Sequence, residues 1–384
     1  MVEILSRIQF AFTVGFHFLF VPLSIGLIFL VCIYEYKYLK SKEVKYKHLS
    51  EFYGDMFVIN YAFGIVTGIT MSLQFGTNWS AYSIYMGDVF GAPLVFEAMI
   101  AFFLESTFTG LWIFKKNKMS NRLRFITVLL IFIGTNFSAL WIITANGFMQ
   151  NPVGYALAAD GSRVLVENFK EIIFNPYAWY MLVHNNISAI LLGSYFVLGI
   201  GAYRYLKIDK ESQEAKTFEL GFKPANILLV ITSLLMPAVG FSYFNYIVPI
   251  QSTKIDAISG GSPFVTISFG LMVGLGTFFI FYSIYTLIFF KRFMNSPVMQ
   301  KFYLWTFPLP YIAILAGWIV AEVGRQPYVV YGLMLTNDAV SNVPVMQVWF
   351  SLITIFVMYA ILAVGCIYLI KKRITSPLVK EESL

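Results

Sequence analysis

His17, His184, Met272, Glu97, Glu105 and Glu322 each stand among apolar residues with few charges nearby. In a hydrocarbon setting an ionisable or ligating side chain is costly unless it meets a partner, a cofactor or water, so each is a functional candidate. Imidazole, thioether and carboxylate are the groups that ligate iron, in haem or in non-haem centres. A His/Met pair suits a six-coordinate, low-spin electron-transfer iron, whereas a lone His or carboxylate leaves a position open for oxygen. Glu97 and Glu105 fall in FEAMIAFFLEST. On an ideal helix they stand about 80° apart in azimuth and about 12 Å apart along the axis, spaced as successive steps of a proton path. Glu322 precedes Arg325 by three positions, so an ion pair is the competing account of that carboxylate. Met272 alone reads as packing, and Gly270 and Gly274 beside it as spacing for close helix approach. What raises these residues above packing is depth, because His17, Glu97, His184, Met272 and Glu322 all fall in the same half of their apolar segments.

The elements that must position them are membrane-spanning helices. The chain has 384 residues, of which 58% are hydrophobic and 12% charged, far from the balance of a soluble domain. A span needs roughly 20 apolar residues to cross about 30 Å of hydrocarbon. Nine segments qualify, at 9–34, 55–75, 92–114, 124–146, 178–203, 224–247, 264–290, 303–322 and 345–370. The fold expected is an all-α polytopic transmembrane bundle forming one integral membrane domain over 1–384, without internal repeats. The first segment lacks a basic flank and a small-residue cleavage site, so it is expected to remain as a helix. Cys32 and Cys366 are the sole cysteines, without CxxC or CxxCH spacing. A disulfide framework, a c-type haem and a thiolate metal site are not expected.

Loop charge alternates. One side receives 22 of the 27 Lys and Arg residues, among them Lys37, Lys116, Arg124, Lys223, Lys291, Arg373 and Lys380, with His48 in their company. The other receives Arg7, Arg163, Lys170, Lys254 and Arg325. This bias places the N-terminus outside and the C-terminus in the cytoplasm. It speaks for insertion and anionic lipid, and gives no reason to invoke nucleic acid. Two outer stretches, 76–91 and 148–177, are long enough for structure. In the second, Val166, Phe169, Ile172 and Ile173 oppose Glu167, Lys170 and Glu171, as in a short helix at the interface or one packed over the bundle.

SRIQFAFTVGFHFLFVPL, FGTNWS, FGAP, FEAMIAFFLEST, NPYAWYMLVHN and EVGRQPY, in this order, closely resemble subunit I of the cytochrome bd quinol oxidases. The resemblance covers nearly the whole chain. It implies two haem b and either haem d or a third haem b near the outer face of a prokaryotic cytoplasmic membrane, with O2 reduced to water by quinol and cytoplasmic protons. It further implies a subunit II-like or second bd-like membrane partner and sometimes a small single-span peptide. Residue by residue, His184 and Met272 match the axial ligands of a low-spin haem b, and His17 and Glu322 those of the two high-spin haems, in either order. Glu97 and Glu105 match carboxylates at the oxygen site and on its proton path, where Ser138 matches a channel serine. Trp318 matches an aromatic near the haems, and Arg7 and Arg325 match partners of haem propionates.

The departures from that pattern are local. The extended quinol loop of the family is reduced here to 248–263, about 16 residues. Lys254 matches the lysine of that loop, but Ser259 replaces its glutamate and leaves Asp256 as the local carboxylate. Gly270 replaces an arginine before the methionine ligand, and Asp55 replaces a lysine where protons are taken up. The expectation is retained haem binding with weak or absent quinol oxidation. The alternative is a divergent haem protein with a non-quinol donor, or a pseudo-subunit paired with another bd-like chain. A proton-coupled transporter would also need buried carboxylates and histidines, but Pro237 and the Pro308/Pro310 pair do not correspond as broken-helix positions of two repeats.

Overall fold

The computed structural model describes residues 1–378, so Lys380, assigned above to the cytoplasmic side, lies outside the described residues. Lipid offers the backbone no hydrogen bonds, and the chain meets that condition with helix. Among the described residues nine helical stretches are long and apolar enough to cross a membrane. The first is interrupted into α1 (Val2–His17) and α2 (Val21–Ser41), and the second is α3 (Val44–Thr77). After a short α4 (Ser80–Tyr85), the third is α5 (Gly87–Phe96), a stretch of wider π turns over Glu97–Phe102, and α6 (Phe103–Lys115). The fourth is α7 (Asn121–Gln150). A hairpin of β1 (Tyr155–Leu157) and β2 (Val164–Val166) and a single turn α8 (Phe169–Ile173) lead to α9 (Pro176–Tyr205) and α10 (Gln213–Ile247). Next come α11 (Ser252–Asp256), α12 (Pro263–Ile288), α13 (Phe290–Asn295) and an eighth span broken into α14 (Pro297–Thr306) and α15 (Leu309–Val323). A second hairpin, β3 (Tyr328–Val330) and β4 (Met334–Leu335), and α16 (Thr336–Ala339) precede α17 (Val345–Thr375).

Helix starts follow capping chemistry. Ser120, Asn175 and Ser212 accept hydrogen bonds from Leu123 N, Tyr177 N and Ala215 N at the heads of α7, α9 and α10. Pro176 sits at the first helical position of α9, where its missing N–H costs nothing. The most enclosed helix is α9, and it crosses α2 at Gly26 and Gly193. A Cβ built on Gly193 would stand 2.7 Å from Gly26 Cα, and one on Gly26 would overlap the Ala189 carbonyl oxygen. Gly193→Val is therefore expected to push the two helices apart and to cost about 3 kcal/mol in detergent unfolding, the upper range for overpacking. An unchanged unfolding midpoint would show that the contact is dispensable. The glycines singled out in the sequence for such a contact, Gly270 and Gly274, have nothing within 4 Å of a built Cβ, and so take no part in close packing within the chain.

The basic end is tied by ion pairs that cross between helices. Arg124 of α7 is buried and donates to Glu35 of α2 at 2.7 Å and to Glu51 of α3 at 3.1 Å. Asp55 of α3 accepts from Lys116 at 2.9 Å and from Arg373 of α17 at 2.9 Å. At the opposite end the outer stretch departs from expectation. Val166 lies in β2, and the helix is only the turn Phe169–Ile173. Ile172 is fully buried, so that turn packs over the bundle. The hairpin before it turns through Asp160–Gly161, with Gly161 at φ +68°.

Candidate functional site

The carboxylates are arranged along α7. Ser138 donates to Glu97 at 2.8 Å and Thr135 to Glu105 at 2.9 Å. These partners are one helical turn apart, about 4.5 Å along the axis, so both carboxylates lie on one face of α7. The ideal-helix expectation for Glu97 and Glu105 does not hold, because the π turns from Glu97 to Phe102 change the angular step between them. Tyr61 of α3, whose hydroxyl is buried without a partner, lies within electrostatic reach of both. Further along α7, Asn146 and Gln150 donate to Glu322 at 3.0 and 3.2 Å. Asn146 and Gln150 stand about 12 and 18 Å beyond Ser138 along α7, so Glu97 and Glu322, read as sharing a depth, meet that helix at different levels.

His184 of α9 and Met272 of α12 line one cavity of about 490 Å³. That volume lies in the range of small-molecule and cofactor pockets. Glycines clear the space around both: Gly240 faces the His184 ring, and a Cβ on Gly317 would stand 2.9 Å from the Met272 sulfur. The Nδ1 of His184 is buried without a protein partner. Trp318 lines the same cavity and stacks on Phe18 at 4.9 Å. Among the described residues no three His, Cys, Asp or Glu side chains converge. A metal held by the protein alone lacks ligands here, whereas a macrocycle bringing its own nitrogens needs one or two axial groups.

His17 closes α1 where the first span breaks, with Nδ1 2.9 Å from Thr67 Oγ1. Thr67 Oγ1 also lies 2.9 and 3.0 Å from the Phe63 and Gly64 carbonyl oxygens, so this contact ties the end of α1 to α3. Glu322 and Arg325 form the anticipated ion pair at 2.6 Å. Arg325 is buried, and its Nε and Nη1 have no partner. Lys254, read as a loop lysine, is instead 2% exposed. It donates to Gln150 Oε1 and to the Tyr177 hydroxyl, both at 2.8 Å, and also lines the His184 cavity. Burial, with the Arg325 charge beside it, holds the Lys254 ammonium well below its usual range, while Glu322 pulls the other way.

Gln150, Gln251, Tyr177 and Asn146 complete this network, with Gln251 donating to the Gln150 carbonyl at 2.6 Å. They were not singled out in the sequence because neutral amides and a tyrosine carry no charge to mark them. Their clue was position, since each lies at or just beyond the end of an apolar segment. Other expected residues stand apart. Arg7 is exposed and pairs with Glu3 at 3.3 Å, Asp256 is exposed, and Asp55 is engaged by Lys116 and Arg373.

Comparison with known proteins places this geometry in context. A family model described as cytochrome bd terminal oxidase subunit I matches residues 5–263 and 261–377. The Bacillus subtilis (strain 168) cytochrome bd ubiquinol oxidase subunit 1 is 34% identical, with 97% of this chain and 93% of that protein covered. The cytochrome bd-II ubiquinol oxidase subunit 1 of Escherichia coli (strain K12) is 29% identical, with 96% and 95% covered. The fold matches that of the bd oxidase from Geobacillus thermodenitrificans with a TM-score of 0.87 at 22% identity, over 97% of this chain and 98% of that one. The two pieces of the family match meet at residues 261–263, beside the short connection into α12.

Proposed function

The chain belongs to the cytochrome bd terminal oxidase subunit I family, and on that premise we propose that it is the haem-bearing subunit that reduces O2 to water with protons drawn from the cytoplasm. The observation that carries this reading is the single cavity of about 490 Å³ lined by both His184 and Met272. These two residues would hold a low-spin haem b. His17, held by Thr67, and Glu322, with Arg325 beside it, would hold two further haems, the second being haem b and the third haem d or haem b. Bound haem supplies the reversible one-electron chemistry and the site of oxygen binding.

The residues of the chain do the remaining work. Thr67 fixes the His17 ring through its hydrogen bond with Nδ1. Arg325, with two donors unfilled, offers charge and hydrogen bonds to a propionate. Trp318, stacked on Phe18, excludes water from the cavity. Glu105 and Glu97, held by Thr135 and Ser138 on one face of α7, receive protons in turn, with the Tyr61 hydroxyl within electrostatic reach of both and Asp55 toward the basic end. The basic end is cytoplasmic in this reading, as the cation bias requires. A subunit II-like or second bd-like membrane subunit is the expected partner. The test is haem extraction and identification on purified protein, together with oxygen uptake driven by a quinol. Protein without haem would overturn the proposal.

One observation favours a donor other than quinol: Lys254 is buried in the Gln150–Tyr177 network and is not displayed on a loop. Asp256, exposed beside it, remains as the local base for the two protons a quinol releases. Quinol turnover in this chain is expected to be low. Lys254→Ala is expected to abolish what remains, since it removes the buried donor that Gln150 Oε1 and the Tyr177 hydroxyl share. Asp256→Asn is expected to lower it only if Asp256 takes the proton. Steady-state oxygen consumption with ubiquinol and menaquinol analogues decides this, and brisk turnover in both variants would move electron delivery elsewhere.

A further inference from the structure

A groove of about 530 Å³ opens on the flank of the bundle at its basic end, between α10 and the junction of α12 with α13. Lys223, Lys291 and Arg292 border it, all exposed. Its wall is apolar and open, with Ile227 and Ile288 41% and 69% exposed. At its base Asn226 is 1% exposed. The Asn226 Oδ1 lies 2.8 Å from Thr286 Oγ1, and Nδ2 is buried with no partner. Asn226 is thus a polar group at the foot of an otherwise apolar wall, beside three cations.

We propose that this groove binds one anionic diacyl phospholipid. A free anion would satisfy the cations but leave the apolar wall uncovered, and a neutral lipid would cover the wall but leave the cations unmatched. An anionic phospholipid does both: its phosphate lies among Lys223, Lys291 and Arg292, an oxygen near the glycerol accepts from Asn226 Nδ2, and its acyl chains run along Ile227 and Ile288. The basic loops elsewhere at this end attract anionic lipid collectively, whereas this site couples three cations to a buried amide and an apolar channel. The inference does not depend on the oxidase reading.

The experiment is native mass spectrometry of the full chain, purified with any subunit that accompanies it and delipidated. The protein is then titrated with phosphatidylglycerol or with phosphatidylcholine of the same acyl composition. One phosphatidylglycerol per chain is expected to bind at least about tenfold more tightly than phosphatidylcholine. Lys223→Gln, Lys291→Gln and Arg292→Gln are each expected to weaken it about fivefold, and the triple variant to erase the preference. Asn226→Ala is expected to weaken both lipids, with an unchanged unfolding midpoint required for the comparison. A control triple variant, Lys115→Gln, Lys118→Gln and Arg122→Gln, removes equal charge from another loop and is expected to leave binding unchanged. Equal retention of the two lipids, equal loss in the control triple, or displacement by millimolar inorganic phosphate would overturn the proposal.

Discussion

His184→Ala and Met272→Leu are each expected to remove the low-spin component of the reduced-minus-oxidised spectrum while the protein remains in the membrane. Each supplies one axial bond in the proposed site, and loss of either converts a six-coordinate iron into a five-coordinate one. Since even outer-shell partners alter metal affinity about 10–100-fold, loss of an axial ligand is expected to exceed that. Leucine keeps the volume of methionine and removes the sulfur, which separates ligation from packing. The cavity supplies its own control, because Met181 and Met236 also line it. Met236→Leu is expected to leave the low-spin bands in place. If Met236→Leu and Met272→Leu behave alike, or if the bands survive in both His184→Ala and Met272→Leu, the ligand assignment fails.

The second large effect concerns Glu322, for which an ion pair and a haem bond make different predictions. Its carboxylate already accepts from Asn146, Gln150 and Arg325. Glu322→Ala strands a buried guanidinium and is expected to destabilise the protein by about 3–5 kcal/mol. If pairing were its whole task, adding Arg325→Met to Glu322→Gln would restore both stability and carbon monoxide binding. If it also anchors a haem, stability returns but the carbon monoxide difference spectrum stays diminished, as it also does in His17→Ala. The double variant is therefore the informative one, and a wild-type spectrum there would assign Glu322 to Arg325 alone.

Spans were legible because lipid leaves the backbone few options, so hydropathy alone located nine of them. Their interruptions were less so. The break after His17 is hinted at by Pro22, but the π turns at Glu97–Phe102 arise from packing against α7 and have no composition of their own. The first hairpin had a signal that was passed over, the Asp160–Gly161 pair between Tyr155–Leu157 and Val164–Val166. At the site, His17, His184, Met272 and Glu322 were conspicuous as polar groups in apolar runs. Lys254 was named for its type, yet nothing local foretold its burial, because that depends on Gln150 and Tyr177 arriving from other helices. Arg7 and Arg325 looked equivalent in sequence, and only tertiary packing separates the exposed one from the buried one.

The ion pair between Asp55 and Arg373 spans 318 positions of chain. At ribosomal speeds of roughly 5–20 residues per second, Asp55 and Lys116 reach the bilayer roughly 15–60 s before Arg373 is made. During that interval Asp55 has Lys116 for company, and the flank of α3 that α17 will cover faces lipid or an insertion factor. Arrival of Arg373 then seats the ninth span at its basic end, after the eight earlier ones. A ribosome stalled before residue 373 would thus leave the flank of α3 without its ninth-span cover and Asp55 held by Lys116 without Arg373.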